Sequence, residues 1–138
     1  MANLAVLQAT WAPRVLSVLR IMSALLFIEH GTMKLFGFPA AMPGMEGGLP
    51  PMLMAAAILE IGGGVLLAIG LFTRPVAFIL SGMMAVAYFL AHAPQGFFPV
   101  LNQGEGAILF CFIFFYLAFA GGGCWSIDAV RGEKTSAA

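Results

Sequence analysis

The sequence predicts an all-α fold, a bundle of four transmembrane helices, and three observations carry that prediction. Of the 138 residues, 62% are apolar and only 9% are charged, with a mean hydropathy of +1.01; a soluble domain carries roughly 25% charged residues. The apolar residues gather into four stretches, each close to the ~20 residues that cross ~30 Å of hydrocarbon. Clusters of Gly and Pro separate them. This composition excludes a soluble globular enzyme, and the length predicts one integral membrane domain over residues 1–138 with no room for a second. Six basic and six acidic residues cancel, so no clustered basic face is available for nucleic acid.

The first span is expected over about residues 14–36, opened by Pro13, whose missing N–H costs nothing at a helix start. Residues 1–13 hold no Lys or Arg and no small-residue cleavage pattern follows the apolar run, so the span reads as a retained helix and not as a signal peptide. Trp11 ahead of it suits the membrane interface. Gly37, Pro39, Pro43, Gly44, Gly47, Gly48, Pro50 and Pro51 mark a loop. The second span covers about 49–72. Its Gly62, Gly63 and Gly64 lie mid-span and read as a packing surface, not a nucleotide loop. Residues 70–75 form a tight turn, which makes the second and third helices antiparallel neighbours. The third span, about 75–91, starts at Pro75. After Pro94, Gly96, Pro99 and Gly104 the fourth covers about 104–120, with Trp125 at its far interface. The polar tail from Arg131 to Ala138 is expected to fray.

Arg14, Arg74, Arg131 and Lys134 fall on the side of both termini and the middle turn, against Lys34 alone on the other. The positive-inside rule then places both termini in the cytoplasm and the loops 37–48 and 92–103 outside.

An ionisable side chain in hydrocarbon costs at least about 2.5–3.5 kcal/mol, so each needs a partner or a watered cavity. The spans or their ends hold Arg20, Glu29, His30, Lys34, Glu60, His92 and Glu105. At 1.5 Å per residue, Glu29 and His30 lie roughly 22–24 Å up the first span and Lys34 roughly 30 Å, while His92 lies roughly 25 Å up the third. Glu105 opens the fourth span and Glu60 sits near the middle of the second. Arg20, roughly 9 Å from the inner edge, is expected to snorkel. Helical phase puts Arg20, Phe27, His30, Gly31 and Lys34 on one face, without Glu29. It joins Glu60 to Ala56, Ala57, Gly63 and Gly64, pointing into the bundle. Ser81, Ala85, Tyr88 and His92 align on the third helix, and Glu105, Phe112 and Tyr116 on the fourth.

Two readings follow. In the first, these groups only fix helix register, with Glu60 and Glu105 bonded to His30, Lys34 or His92. In the second, a carboxylate beside two imidazoles and two tyrosines binds a quinone head group and passes its protons. A bis-histidine haem or a His/Glu metal site is weighed and set aside, because no spacing demands it. Cys111 and Cys124 stand roughly 19 Å apart along a continuous helix, too far for an intrachain disulfide. Cys111 among its phenylalanines reads as a packing residue. Phe110, Phe114 and Phe115 read as a lipid-facing or homo-oligomeric surface.

The runs RIMSALLFIEHGTMKLF (Arg20–Phe36), EIGGGVLLAIGLFTR (Glu60–Arg74), NQGEGAIL (Asn102–Leu109) and GGGCWSID (Gly121–Asp128) occur in that order. Together they resemble the DoxX family of small four-helix bacterial membrane proteins, over about residues 14–130. The resemblance implies an inner-membrane protein linked to quinone-dependent redox chemistry, through a thiosulfate:quinone oxidoreductase and terminal quinol oxidase connection, or to membrane complexes that handle oxidative or thiol stress. Carried over by position, it singles out His30, Gly31, Lys34, Glu60, Glu105, Ser126 and Asp128. Gly121–Gly123 stands where the family often has Gly-Pro-Gly, a turn that Gly still forms.

The sequence therefore predicts a quinone-associated membrane protein of the inner membrane. Glu60, His30 and Lys34 are its catalytic group, His92 and Glu105 its outer polar gate, and Tyr88 and Tyr116 its aromatic cofactor contacts. A quinone is the expected cofactor, haem and metal are not, and a redox partner subunit supplies or takes the electrons. The competing reading is a non-enzymatic accessory or scaffold subunit of a membrane complex. Transport is disfavoured by the small number of helices.

Overall fold

A computed structural model of the protein describes residues 4–43 and 47–136, with side chains through residue 132. Gly44 of the first loop, the Lys134 side chain and the last two residues of the tail lie outside the described residues. The elements are α1 (Leu4–Phe36), α2 (Pro51–Ile69), α3 (Thr73–Ala87), α4 (Glu105–Ala120) and α5 (Ile127–Ser136), with no strand among the described residues. A π-turn at Tyr88–His92 and a 3₁₀ turn at Ala93–Gln95 extend α3. Three helices are long and apolar enough to span a bilayer, Leu4–Phe36, Pro51–Ile69 and Thr73–Gln95, and α4 adds a shorter apolar one. The four make the expected bundle, with α1 packed along α2 and α3 along α4.

The core is built where helical phase puts it. Ala24 and Phe27 of α1, Leu67 of α2, Ala77 and Leu80 of α3, and Phe114 and Leu117 of α4 are buried together. Phe27 meets Phe114 edge-to-face with ring centroids 4.9 Å apart. This corrects the lipid-facing assignment of Phe110 and Phe114. Phe114 is fully buried and Phe110 stacks on it at 5.6 Å, while Phe112, Phe115 and Phe119 face outward. A helix of this composition is apolar all round, so apolarity alone cannot say which side meets lipid.

The α2–α3 turn forms as expected. Gly70 at φ 68° closes α2 through Gly70 N–H to Leu67 O (3.0 Å) and Leu71 N–H to Leu66 O (2.9 Å), the left-handed glycine stop that satisfies orphan carbonyls. The glycine triplet serves two seams. A Cβ on Gly64 would lie 2.6 Å from Ile28 of α1, and one on Gly63 2.8 Å from Leu80 of α3.

Three expectations at this end are overturned. First, α1 begins at Leu4, so Pro13 lies inside the helix. Proline removes one backbone bond, and the exposed turns before it leave the freed carbonyl open to solvent or headgroups. Second, the tail does not fray at Arg131 but forms α5 through Ser136. Ser126 Oγ accepts the Ala129 N–H (3.1 Å) as its N-cap, and Asp128 sits in the first turn, where the helix dipole favours a carboxylate. Third, Arg20 does not snorkel. It is fully buried. Its guanidinium donates to Leu67 O, Ala68 O (2.6 Å), Gly122 O (2.7 Å) and Trp125 O. The fork thus ties α1 to the carbonyl end of α2 and to the α4–α5 turn.

Neighbouring contacts tighten this knot. Ser17 Oγ donates to Pro13 O (2.9 Å) and accepts the Trp125 N–H (3.0 Å). Asp128 reaches back to the start of α3, accepting the N–H groups of Phe72 (2.9 Å) and Thr73 (2.8 Å). Arg74 donates to Phe119 O at the end of α4. Burial alone would raise the Asp128 carboxyl. The hydrogen bonds from Thr73 and Phe72 and the charge of Arg131 outweigh it and hold Asp128 below the usual carboxylate value.

Two outcomes follow. Arg20→Leu removes the charged donor shared by four carbonyls, of which Leu67 O keeps the Gly70 N–H, and lowers stability by more than about 3 kcal/mol, since each bond to a charged group is worth about 1.5–3 kcal/mol; Arg20→Lys, lacking the planar fork, recovers little of it. Thermal unfolding followed by circular dichroism in detergent reads both, and a lysine variant as stable as the parent refutes the fork. For Asp128, a depressed folded value means that its contribution is present above the unfolded value of about 3.9 and is lost as pH falls through the folded value. Asp128→Asn therefore melts lower at neutral pH and shows a shallower acid slope below about pH 4, while an unchanged slope excludes the cap.

Candidate functional site

The site starts from one glycine. A Cβ on Gly31 would lie 2.6 Å from Ile61 Cγ1 and 2.9 Å from the Ala57 carbonyl oxygen, so only glycine lets α1 and α2 approach this closely. Lys34 follows Gly31 by three residues on the same helical face and thereby reaches across the seam. Its ammonium pairs with Glu60 Oε1, the two side chains being 14% and 6% exposed. Glu60 thus points inward, as phase predicts, with Ala57 and Gly64 buried on its face. Its second oxygen, Oε2, is buried and has no hydrogen-bond partner among the described residues.

His30 joins this group in part. It acts electrostatically on Glu60, but its ring is exposed and rests edge-on against Phe110 at 5.8 Å. Phe110 in turn packs on Phe27 at 5.3 Å. An aromatic column therefore continues from the imidazole into the core. Glu29 is exposed, as expected.

His92 and Tyr88 form a second cluster. Their rings stack with centroids 6.3 Å apart and planes 22° apart. His92 Nδ1 is hydrogen-bonded to Asn102 O at 3.0 Å, so the imidazole holds the α3–α4 connection. Tyr88 packs against Gly104, where a Cβ would lie 2.5 Å from its ring. The π-turn at Tyr88–His92 inserts one residue into the helical repeat here, a feature frequent at functional sites. Among the described residues, no hydrogen bond or ring contact joins this cluster to the Lys34–Glu60 pair.

The remaining predicted residues lie apart. Glu105 is exposed in the first turn of α4, where it complements the helix dipole. Tyr116 is 56% exposed and lines a recess of about 810 Å³ at the opposite end of the bundle, beside Pro13, Phe72, Arg74 and the Gly121–Gly123 turn. The helical phase that aligns Glu105, Phe112 and Tyr116 is correct, but their shared face points away from the core. A further recess of about 220 Å³ is apolar and lies between α2 and α3, walled by Met52, Ala56, Leu59, Met83, Val86 and Leu90. Ala56 is one turn from Glu60 on the same face.

Two polar residues that organise the structure escaped assignment as functional groups. Arg20 was visible as a charge inside a span, but only its contacts reveal a carbonyl clamp. Asn102, 1% exposed, stood in the sequence only as the first residue of the NQGEGAIL run. The cysteines stand apart in role. Cys111 sits in the α3–α4 seam, its carbonyl accepting Ser81 Oγ (2.8 Å), and Cys124 is exposed at the other end. No group of three or more His, Cys, Asp or Glu residues poised for a metal occurs among the described residues.

The family model of DoxX matches residues 15–93. The chain is 48% identical over 122 residues to an uncharacterised protein of Haemophilus influenzae, covering 86% of this chain and 91% of that one. It is 32% identical over 127 residues to the inner membrane protein YqjF of Escherichia coli, covering 85% and 92% respectively. No solved structure matches the chain.

Lys34→Met strands the Glu60 carboxylate in an apolar seam and destabilises the protein by about 3–5 kcal/mol, whereas the double variant Lys34→Met, Glu60→Met recovers most of the loss. Thermal melts of the parent, both single variants and the double variant close the cycle. Additive effects would show that the two groups are not a coupled buried pair.

Proposed function

This chain belongs to the DoxX family, and on that premise we propose that it is a quinone-linked redox protein of the bacterial inner membrane, with both termini cytoplasmic. The single observation that carries the reading is Glu60 Oε2. A buried polar atom without a partner is unusual in a native structure and calls for an explanation. A quinol hydroxyl is the kind of donor it lacks. In this reading Glu60 accepts the proton from the hydroxyl through Oε2, while Lys34 holds Oε1 and orients the carboxylate. His30, exposed beside the pair, hydrogen-bonds the second oxygen of the head group and relays its proton to water. The apolar recess between α2 and α3, one turn from Glu60, suits an isoprenoid tail. His92 and Tyr88 hold the α3–α4 connection at the same end and so act as a positioning pair. The electrons pass to or from a partner subunit, since a protein supplies orientation and electrostatics for such chemistry rather than the redox couple itself. The inner-membrane location is supported by the name of the Escherichia coli relative. The orientation is supported by Arg14, Arg74 and Arg131 at the end that holds both termini.

A second reading is favoured by the way Lys34 and Glu60 lock α1 to α2 across Gly31. Such a pair also suits an accessory subunit, in which polar contacts fix register and the exposed Phe112, Phe115 and Phe119 face another membrane protein.

The test is an oxidised-minus-reduced absorption spectrum of the protein purified in mild detergent, with ubiquinol and menaquinol added back in turn. The redox reading expects a stoichiometric quinone signal that Glu60→Gln abolishes while the helical circular dichroism is unchanged. A signal that survives the substitution sinks the proton role. A spectrum without quinone, even after add-back, favours the accessory subunit.

A further inference from the structure

The α3–α4 connection carries an uncommon surface. Phe97 is 87% exposed, Phe98 61%, Val100 67% and Leu101 77%. From Pro75 to Gly104 the sequence holds no Asp, Glu, Lys or Arg. A loop in water would expose these side chains at an unfavourable ~25 cal/mol per Å² of apolar surface.

The backbone of the same segment is closed on itself. Leu101 N–H and Asn102 N–H both donate to Phe98 O (2.9 and 3.0 Å), and Gly104 N–H reaches Pro99 O (3.1 Å). Asn102, almost fully buried, donates from Nδ2 to Gly96 O (2.8 Å) and accepts the Gly104 N–H at Oδ1 (2.8 Å). Its own carbonyl is bonded by His92. These bonds satisfy the N–H groups of Leu101, Asn102 and Gly104 within the segment, which lowers the cost of placing non-helical chain near hydrocarbon, where no water completes its hydrogen bonds. Helix length points the same way. The 16 residues of α4 span roughly 24 Å, short of the ~30 Å hydrocarbon thickness, so at least one end of α4 lies below the membrane surface.

We propose that residues 96–101 are seated in the headgroup–acyl boundary of the bilayer, at the end of the bundle opposite Arg74 and α5, with Phe97, Phe98, Val100 and Leu101 in contact with lipid and Asn102 as the internal peg. The occupant of this surface is lipid, because an uncharged aromatic tip of this kind matches the interface that aromatic side chains favour. The inference is independent of the quinone reading. It adds a depth to the expectation that the 92–103 loop lies on the outer side.

The full chain in vesicles of phosphatidylethanolamine and phosphatidylglycerol tests it. In a Trp11→Phe, Trp125→Phe background, Phe97→Trp supplies a single reporter, and Leu101→Trp supplies a second should the first variant fold poorly. The expected result is blue-shifted emission that is quenched strongly by lipids brominated near the carbonyl end of their chains and weakly by aqueous acrylamide. Red-shifted emission that acrylamide quenches and brominated lipid does not would place the loop in water and overturn the proposal. Emission quenched by neither would mean that protein, a second copy or a partner, covers the loop, and would overturn it equally.

Discussion

The buried guanidinium of Arg20 is the constraint on which this bundle depends. A cation on a membrane helix, with no carboxylate hydrogen-bonded to it, is tolerable only because four backbone carbonyls surround it. Those carbonyls belong to the end of α2 and to the turn after α4, places where a helix leaves C=O groups without internal partners. One side chain thereby finds partners for its own donors and serves carbonyls at the ends of two other segments. Lysine offers no planar fork for this task. Ser17, Arg74 and Asp128 extend the same principle, each matching a side chain to a helix end.

The opposite end is organised by close approach rather than by a clamp. Gly31 lets α1 meet Ala57 and Ile61 on α2, and that approach is what brings Lys34 to Glu60. The ion pair is therefore a consequence of glycine packing, and its geometry leaves one carboxylate oxygen free for a further donor. His92 and Asn102 do a different job at this end. They hold the α3–α4 connection, so polar residues that share a depth do not share a site.

This distinction explains which site residues were legible in the sequence. Glu60, Lys34 and Gly31 were legible because burial cost and helical phase both select them. Tyr116 was misplaced because alignment along α4 says nothing about where that face points, and α4 is apolar on every side. Phe110 and Phe114 were misplaced for the same reason. Arg20 was visible as an ionisable group within a span, yet the choice between snorkelling and burial depends on carbonyls from α2 and the 122–125 turn that only the folded chain brings near. The helical tail was expected to fray, since the link that ties Asp128 to the first turn of α3 spans more than 50 residues.

What the sequence determined by itself is the class, the four apolar helices, the antiparallel α2–α3 turn and the inward face of Glu60. These follow from local quantities: hydropathy summed over a helix length, glycine and proline at the breaks, and a fixed angular step per residue. Only the tertiary structure decided which charged groups meet, which aromatic residues are core, and that Arg20 is a clamp. Those outcomes rest on which backbone groups are left unsatisfied and on how closely two helices approach, and both are properties of pairs of segments that no single stretch of sequence contains.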